Sequence, residues 1–100
     1  VKSMRRYVLV SYDVSDPKRW RRVYKIMRGH GVHVQYSVFL CQLTDQDEVE
    51  LRYRLAEAIH PSTDQVLFAR LGPVDSKRLE KQITCIGREF VPLDLKGLVF

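Results

Sequence analysis

The stretch 7-YVLVSYDVSDP-17 decides the fold, because it holds a strand, the end of that strand and the start of a helix. Tyr7–Val14 is rich in β-branched and aromatic residues, which favour extended chain. Both alternating sides are largely apolar, with Tyr7 and Leu9 on one and Val8, Val10 and Tyr12 on the other. A strand covered on both faces sits in the middle of a sheet rather than at its edge. The polar exceptions, Ser11 and Asp13, come only at its C-terminal end. Ser15-Asp16-Pro17 then stops the strand and opens a helix. Asp16 can cap free amides there, and proline suits the first helical position because it lacks a donor that would go unused.

Outward from this stretch, Trp20, Val23, Tyr24 and Met27 recur at helical spacing and make one buried stripe. Gly29 stands where a left-handed C-cap belongs, so the helix spans about Pro17 to Arg28. Lys18, Arg19, Arg21, Arg22, Lys25 and Arg28 fill its other sides with positive charge. Val32–Leu43 reads either as one bent strand or as two short ones meeting near Tyr36. Thr44 is a good N-cap, followed by Asp45, Asp47 and Glu48 at the positive start of a second helix. Leu51, Leu55, Ala58 and Ile59 form that helix's apolar stripe, and Pro61 lies beyond its end. Asp64–Leu71 is a further strand closed by Gly72-Pro73, and Pro73–Gln82 a polar loop with a helical turn. Ile83–Ile86 reads as a strand, with Gly97–Phe100 a last short one.

This order fits an α+β, ferredoxin-like βαββαβ sandwich: one antiparallel sheet with two helices on one face. The opposite face carries apolar side chains too, Val38 and Phe68 among them, and a second copy of the chain is its simplest cover. A homodimer is therefore expected.

The 100 residues fit a single domain, 1–100. At 45% hydrophobic and 29% charged, the composition is that of a folded globular protein. No apolar run approaches the roughly 18 residues of a spanning helix, and no signal-peptide pattern opens the sequence. The expectation is a cytoplasmic protein with no membrane partner. Lys and Arg number 17 against 12 Asp and Glu, a formal charge of +5 that favours polyanions, nucleic acid foremost. Cys41 and Cys85 are too few and too far apart for a zinc site or a disulfide framework, so each reads as a small core residue in a reducing compartment.

Asp13 is the first candidate for chemistry. A carboxylate emerging from an apolar core costs free energy unless it is solvated, hydrogen-bonded or bound to a cation, so Asp13 either caps the following turn, pairs with an arginine, or serves a metal. One carboxylate rarely holds a divalent ion, but a twofold axis beside this strand end would turn two copies of Asp13 toward one Mg²⁺. Metal-assisted phosphodiester hydrolysis would follow. Asp16 and Asp64 are explained by a helix cap and a strand start. The arginine-rich helix face suits phosphate, because the guanidinium fork makes bidentate, charge-assisted bonds. Tyr12, Tyr36 and Phe39 either stack on bases or fill the core. His30, His33 and His60 share no metal-ligand spacing, and no Gly-rich phosphate loop or covalent-nucleophile signature is present.

The same residues resemble a known family. Tyr7–Pro17, the arginine-rich helix ending Arg28-Gly-His-Gly31, and Val34-Gln-Tyr-Ser-Val-Phe39-Leu-Cys41 look like the CRISPR-associated protein family Cas-two, the likeness covering roughly residues 5 to 72. The resemblance implies a ferredoxin-like homodimer whose C-terminal strand, here Leu98-Val-Phe100, extends the partner's sheet. It implies an antiviral-defence protein acting in spacer acquisition with the Cas-one integrase. It also implies a Mg²⁺-dependent endonuclease, with Mn²⁺ a substitute, acting on single-stranded RNA or double-stranded DNA. Asp13 from each protomer maps onto the metal-binding aspartate. Tyr12, Ser37 and Phe39 fall around the same catalytic site, with Lys18, Arg19, Arg21, Arg22, Lys25 and His33 toward nucleic acid. Many members have arginine where this chain has His33, and losing that permanent charge either weakens phosphate binding or makes it depend on pH. The rival reading is a non-catalytic DNA-binding adaptor in the integration complex. A base-stacking RNA-binding module of the same fold is a third, lacking its aromatic signature.

Overall fold

Strand β1 (Arg6–Asp13) is followed by helix α1 (Pro17–Arg28), strands β2 (Gly31–Gln35) and β3 (Val38–Leu43), and helix α2 (Asp45–Ala58). Strand β4 (Gln65–Pro73) and a single helical turn, α3 (Leu79–Gln82), complete the described elements. This computed structural model describes residues 4–74 and 79–88. The sheet is antiparallel in the order β2-β3-β1-β4, so β1 is central and the arrangement is ferredoxin-like, as the sequence predicts.

The helix boundaries follow from their caps. The Asp16 carboxylate accepts from the Arg19 amide at 2.9 Å, with Pro17 just inside the helix. Thr44 and Asp47 form a reciprocal capping box, each side chain accepting the other's backbone N–H. Gly29 differs from the expectation: it ends α1 with φ −81°, in the right-handed region, and its N–H donates to the Ile26 carbonyl. Helix α1 closes by tightening its last turn, so no left-handed residue is needed.

Val32–Leu43 resolves into two strands, because Tyr36 and Ser37 form a tight turn between them. Gly31 is obligatory there. A Cβ at that position would lie 2.5 Å from Cys41 Sγ and 2.7 Å from the Leu40 carbonyl, inside any tolerable contact. Gly72, with φ +107°, follows a register shift where β4 pairs with Tyr7 and Val8, a backbone shape that favours glycine.

Period-two alternation sorts the sheet into two faces. Val8, Val10, Tyr12, Phe39, Cys41 and Leu43 point toward the helices and meet Val23, Met27, Leu51, Leu55 and Ala58. Fully burying each large aliphatic or aromatic side chain contributes about 1.5–3 kcal/mol, so this layer dominates stability. Among the described residues the other face is only partly covered: Leu40 and Leu79 are buried there, with Tyr7, Leu9, Val32, Val34, Leu71 and Ile83 packed around them. Leu67 on that face is 57% exposed.

Three expectations need correction. Phe68 faces the helices, opposite Val10, and its ring lies 4.0 Å from the Arg52 guanidinium carbon. Val38, paired with Ser11, does lie on the open face. Ile83–Ile86 forms no strand: among the described residues it pairs with nothing, and Ile83 instead tucks against the open face below α3. Cys85 is exposed rather than in the core, whereas Cys41 is buried and its thiol is pushed up to about 12 by desolvation. The Gly97–Phe100 strand lies outside the described residues.

Candidate nucleic-acid site at the end of the central strand

Asp13 ends β1 on the open face, in the series Tyr7, Leu9, Ser11, Asp13. Its side chain is exposed, and among the described residues no ion pair or side-chain hydrogen bond engages it. No cluster of three metal-ligating side chains exists among the described residues of one chain. An oxygen-rich divalent-ion site at Asp13 therefore needs ligands from beyond the described residues of one chain, and a carboxylate that is unpaired among those residues fits that need.

The neighbouring turn is pinned to this strand end. The Tyr12 N–H donates to the Ser37 carbonyl at 3.0 Å, extending the pairing of Ser11 with Val38 and bringing half-buried Ser37 opposite Tyr12, the residue before Asp13. His33 Nε2–H donates to the Tyr36 carbonyl at 2.9 Å, and the His33 ring stacks on Phe39 with centroids 4.7 Å apart. His33 thus holds the turn through one nitrogen.

Tyr12 and Phe39 point to the opposite face from Asp13. Phe39 is fully buried and Tyr12 nearly so, stacked at 6.2 Å. Burial, with Tyr24 and Tyr36 adding to it, pushes the Tyr12 phenol up to about 12. Its hydroxyl and the Trp20 indole N–H are buried without a partner among the described residues. Such groups cost about 1–3 kcal/mol each, a penalty the aromatic packing must offset. Both rings pack on the helix side of the strand end.

The basic residues divide. Arg19 is engaged: Nε donates to Asp64 Oδ2 at 2.7 Å and a second nitrogen to Oδ1 at 3.3 Å. The Asp64 side chain is wholly buried and also accepts from the His60 N–H, and these partners, Arg19 first, draw its carboxyl down to about 2. Lys18, Arg21, Arg22 and Lys25 are exposed on α1, in the helix layer and not on the face Asp13 occupies. Arg22 lines an open groove of about 250 Å³ with Ile26, Arg54, Glu57 and Ala58.

One buried cluster has no counterpart in the sequence reading. Glu48 is 3% exposed at its side chain and accepts from Arg70 at 2.9 and 3.1 Å and from Arg52 at 2.9 Å, with Arg6 at 3.8 Å. Hydrogen bonds from Arg70, then Arg52, hold its carboxyl below the usual range against the opposing effect of burial. The i,i+4 spacing of Glu48 and Arg52 was the available signal; the partnership with Arg70 needs the fold.

The sequence matches the family described as CRISPR associated protein Cas2 over residues 4–81. It is 36% identical over 91 residues to the CRISPR-associated endoribonuclease Cas2 1 of Rhodospirillum rubrum, covering 91% of this chain and 87% of that one. Over 76 residues it is 43% identical to the CRISPR-associated endoribonuclease Cas2 2 of Thermodesulfovibrio yellowstonii, covering 76% and 80%. The crystal structure of Streptococcus pyogenes Cas2 at pH 6.5 superposes with a TM-score of 0.70 at 36% identity, covering 81% of this chain and 99% of that one.

Proposed function

The chain belongs to the CRISPR-associated Cas2 family, and from that premise we propose that it is a metal-dependent endonuclease of antiviral defence that works as a homodimer. The observation that carries this reading is the exposed Asp13 carboxylate at the end of the central strand, unpaired among the described residues and on the face opposite α1 and α2. The whole chain, 1–100, serves as one domain, in the cytoplasm where foreign nucleic acid arrives. A second copy laid on the open face covers Leu9, Val38 and Leu67 and supplies the second Asp13.

Bound between two carboxylates, Mg²⁺ or Mn²⁺ would make water a better nucleophile and offset charge on the phosphodiester. Asp13 contributes oxygen ligands, one carboxylate from each copy. Ser37 borders the same strand end and offers a hydroxyl to a phosphate oxygen. Tyr12 and Phe39 fix the backbone beneath, so that Asp13 is held on a rigid element. RNA is the favoured substrate, since the relatives of similar length are named endoribonucleases.

A second reading is a non-catalytic adaptor that bridges Cas-one integrase subunits and tracks DNA. The placement of Lys18, Arg21, Arg22 and Lys25 outside Asp13's face favours it, because those charges can follow a backbone without presenting a bond to the carboxylates.

The test is cleavage of single-stranded RNA and of double-stranded DNA with Mg²⁺, alongside sedimentation, for wild type and Asp13→Asn. A dimer whose cleavage disappears in the variant supports the endonuclease. A monomeric wild type, or cleavage persisting undiminished in Asp13→Asn, overturns it. A dimer that binds duplex DNA and cuts nothing selects the adaptor.

A further inference from the structure

Tyr36 stands apart from the other aromatic residues at this end of the sheet. It is 76% exposed, while Tyr12 and Phe39 beside it are buried. It is also far from loose. One face of its ring stacks on Trp20 at 5.4 Å between centroids, inclined by 26°. Trp20 in turn stacks on Tyr24 at 5.3 Å with the planes within 8°. Tyr36 is thus the outermost ring of a three-ring column rooted in α1, and its other face is open.

The backbone beneath the ring is fixed from both sides. His33 Nε2–H donates to the carbonyl of Tyr36 itself, and the Tyr12 N–H donates to that of Ser37. The turn therefore lies against the Tyr12–Asp13 end of β1. A flat ring held in one orientation loses little entropy when a second flat group settles on it.

We propose that the open face of Tyr36 is a stacking platform for an unpaired nucleobase, making the chain selective for single-stranded over duplex nucleic acid at the Asp13 end of the sheet. This rests on nucleic acid being the substrate and adds the recognition that carboxylates and phosphate-binding arginines cannot supply. Phosphate contacts are blind to whether bases are paired. An aromatic face is not, because within a duplex each base face is already stacked on its neighbours. Exposed Lys18 and Arg21, near the start of the same helix that carries Trp20, supply charge complementarity for the strand's phosphates. Every base has a π-face, so the platform tolerates sequence, with purines favoured for their larger area.

The experiment titrates the full chain with unstructured oligo(A) and oligo(U) RNA and with a hairpin DNA duplex, without divalent metal. It follows anisotropy of the labelled nucleic acid and the fluorescence of Trp20, the chain's one tryptophan. Loss of one stacked base predicts that Tyr36→Ala weakens single-strand binding by roughly 5- to 150-fold. Tyr36→Phe restores it, and duplex affinity stays within about twofold throughout, since phosphate contacts are untouched. Oligo(A) binds more tightly than oligo(U), and either perturbs Trp20 emission in wild type.

Wild-type affinity in Tyr36→Ala, an equal loss for single strand and duplex, or no single-strand binding by wild type each overturns the platform. So does a Tyr36→Ala variant whose changed behaviour is a shift in oligomeric state. Cleavage by the same samples after Mg²⁺ addition separates this from the endonuclease reading. Asp13-dependent cleavage with no effect of Tyr36→Ala on binding sinks the platform alone. Tyr36-dependent single-strand binding with no cleavage sinks the endonuclease alone.

Discussion

Two aspartates flank the same end of the sheet and meet opposite fates. Asp13 ends β1 opposite Gln65, the residue after Asp64, so the two backbones are near neighbours. Asp64 is enclosed by the Arg19 fork and the His60 N–H, with no exposed side-chain surface. Asp13 is exposed and has no such partner among the described residues. The difference teaches that local sequence chemistry does not distinguish a structural carboxylate from an available one. What distinguishes them is whether donors converge on the side chain.

The largest expected effects break the comparison in two. Asp13→Asn should reduce cleavage by more than about a hundredfold, the scale already reached when only a ligand's outer partner is removed. Its thermal midpoint should match wild type, because no contact is lost. Asp64→Asn should do the reverse, lowering the midpoint by several degrees while the dimer still cleaves, since Arg19 is left facing a neutral amide. Calorimetry and a gel assay on both variants check the crossover.

Acid sharpens the same contrast. The folded Asp64 carboxyl titrates at about 2 against an ordinary 3.8, so the folded state binds fewer protons than the unfolded one over that interval. Stability from this group is then fully present above about pH 5 and is lost as pH falls toward 2. Denaturant midpoints measured from pH 6 to 2 should fall less steeply for Asp64→Asn than for wild type. Asp13→Asn should leave that limb unchanged.

The smallest effect concerns the arginines. Arg22→Gln should weaken nucleic-acid binding uniformly across sequences and flatten the dependence of log affinity on log salt by about one. Arg19→Gln should barely change that slope and should instead lower the thermal midpoint, because its guanidinium serves Asp64.

Much of this was legible in the chain. The boundaries of α1 follow from Asp16, Pro17 and the apolar stripe, and β1 announces its central place by being apolar on both sides. Strand β4 was legible as a strand but not by face. Leu67, Ala69 and Leu71 alternate with Val66, Phe68 and Arg70, both sets hold apolar residues, and only pairing with β1 decides between them. Ile83–Ile86 shows propensity but pairs with no strand among the described residues, and β-branched residues do not make a strand alone. For the site, Asp13 stood out by position. The Arg19–Asp64 pair did not, because it joins residues 45 apart and any of four arginines on α1 suited the sequence equally. Tyr36 was legible as aromatic and not as exposed, since a turn residue's burial depends on the helix packed against it.

The two thiols offer a practical consequence. Cys41, held in the core with its ionisation suppressed, presents almost no thiolate to an alkylating reagent at neutral pH, whereas Cys85 is open to solvent. A maleimide-linked spin label therefore reports from one position per chain, and the interprobe separation across the proposed pair of subunits becomes measurable without introducing a single substitution.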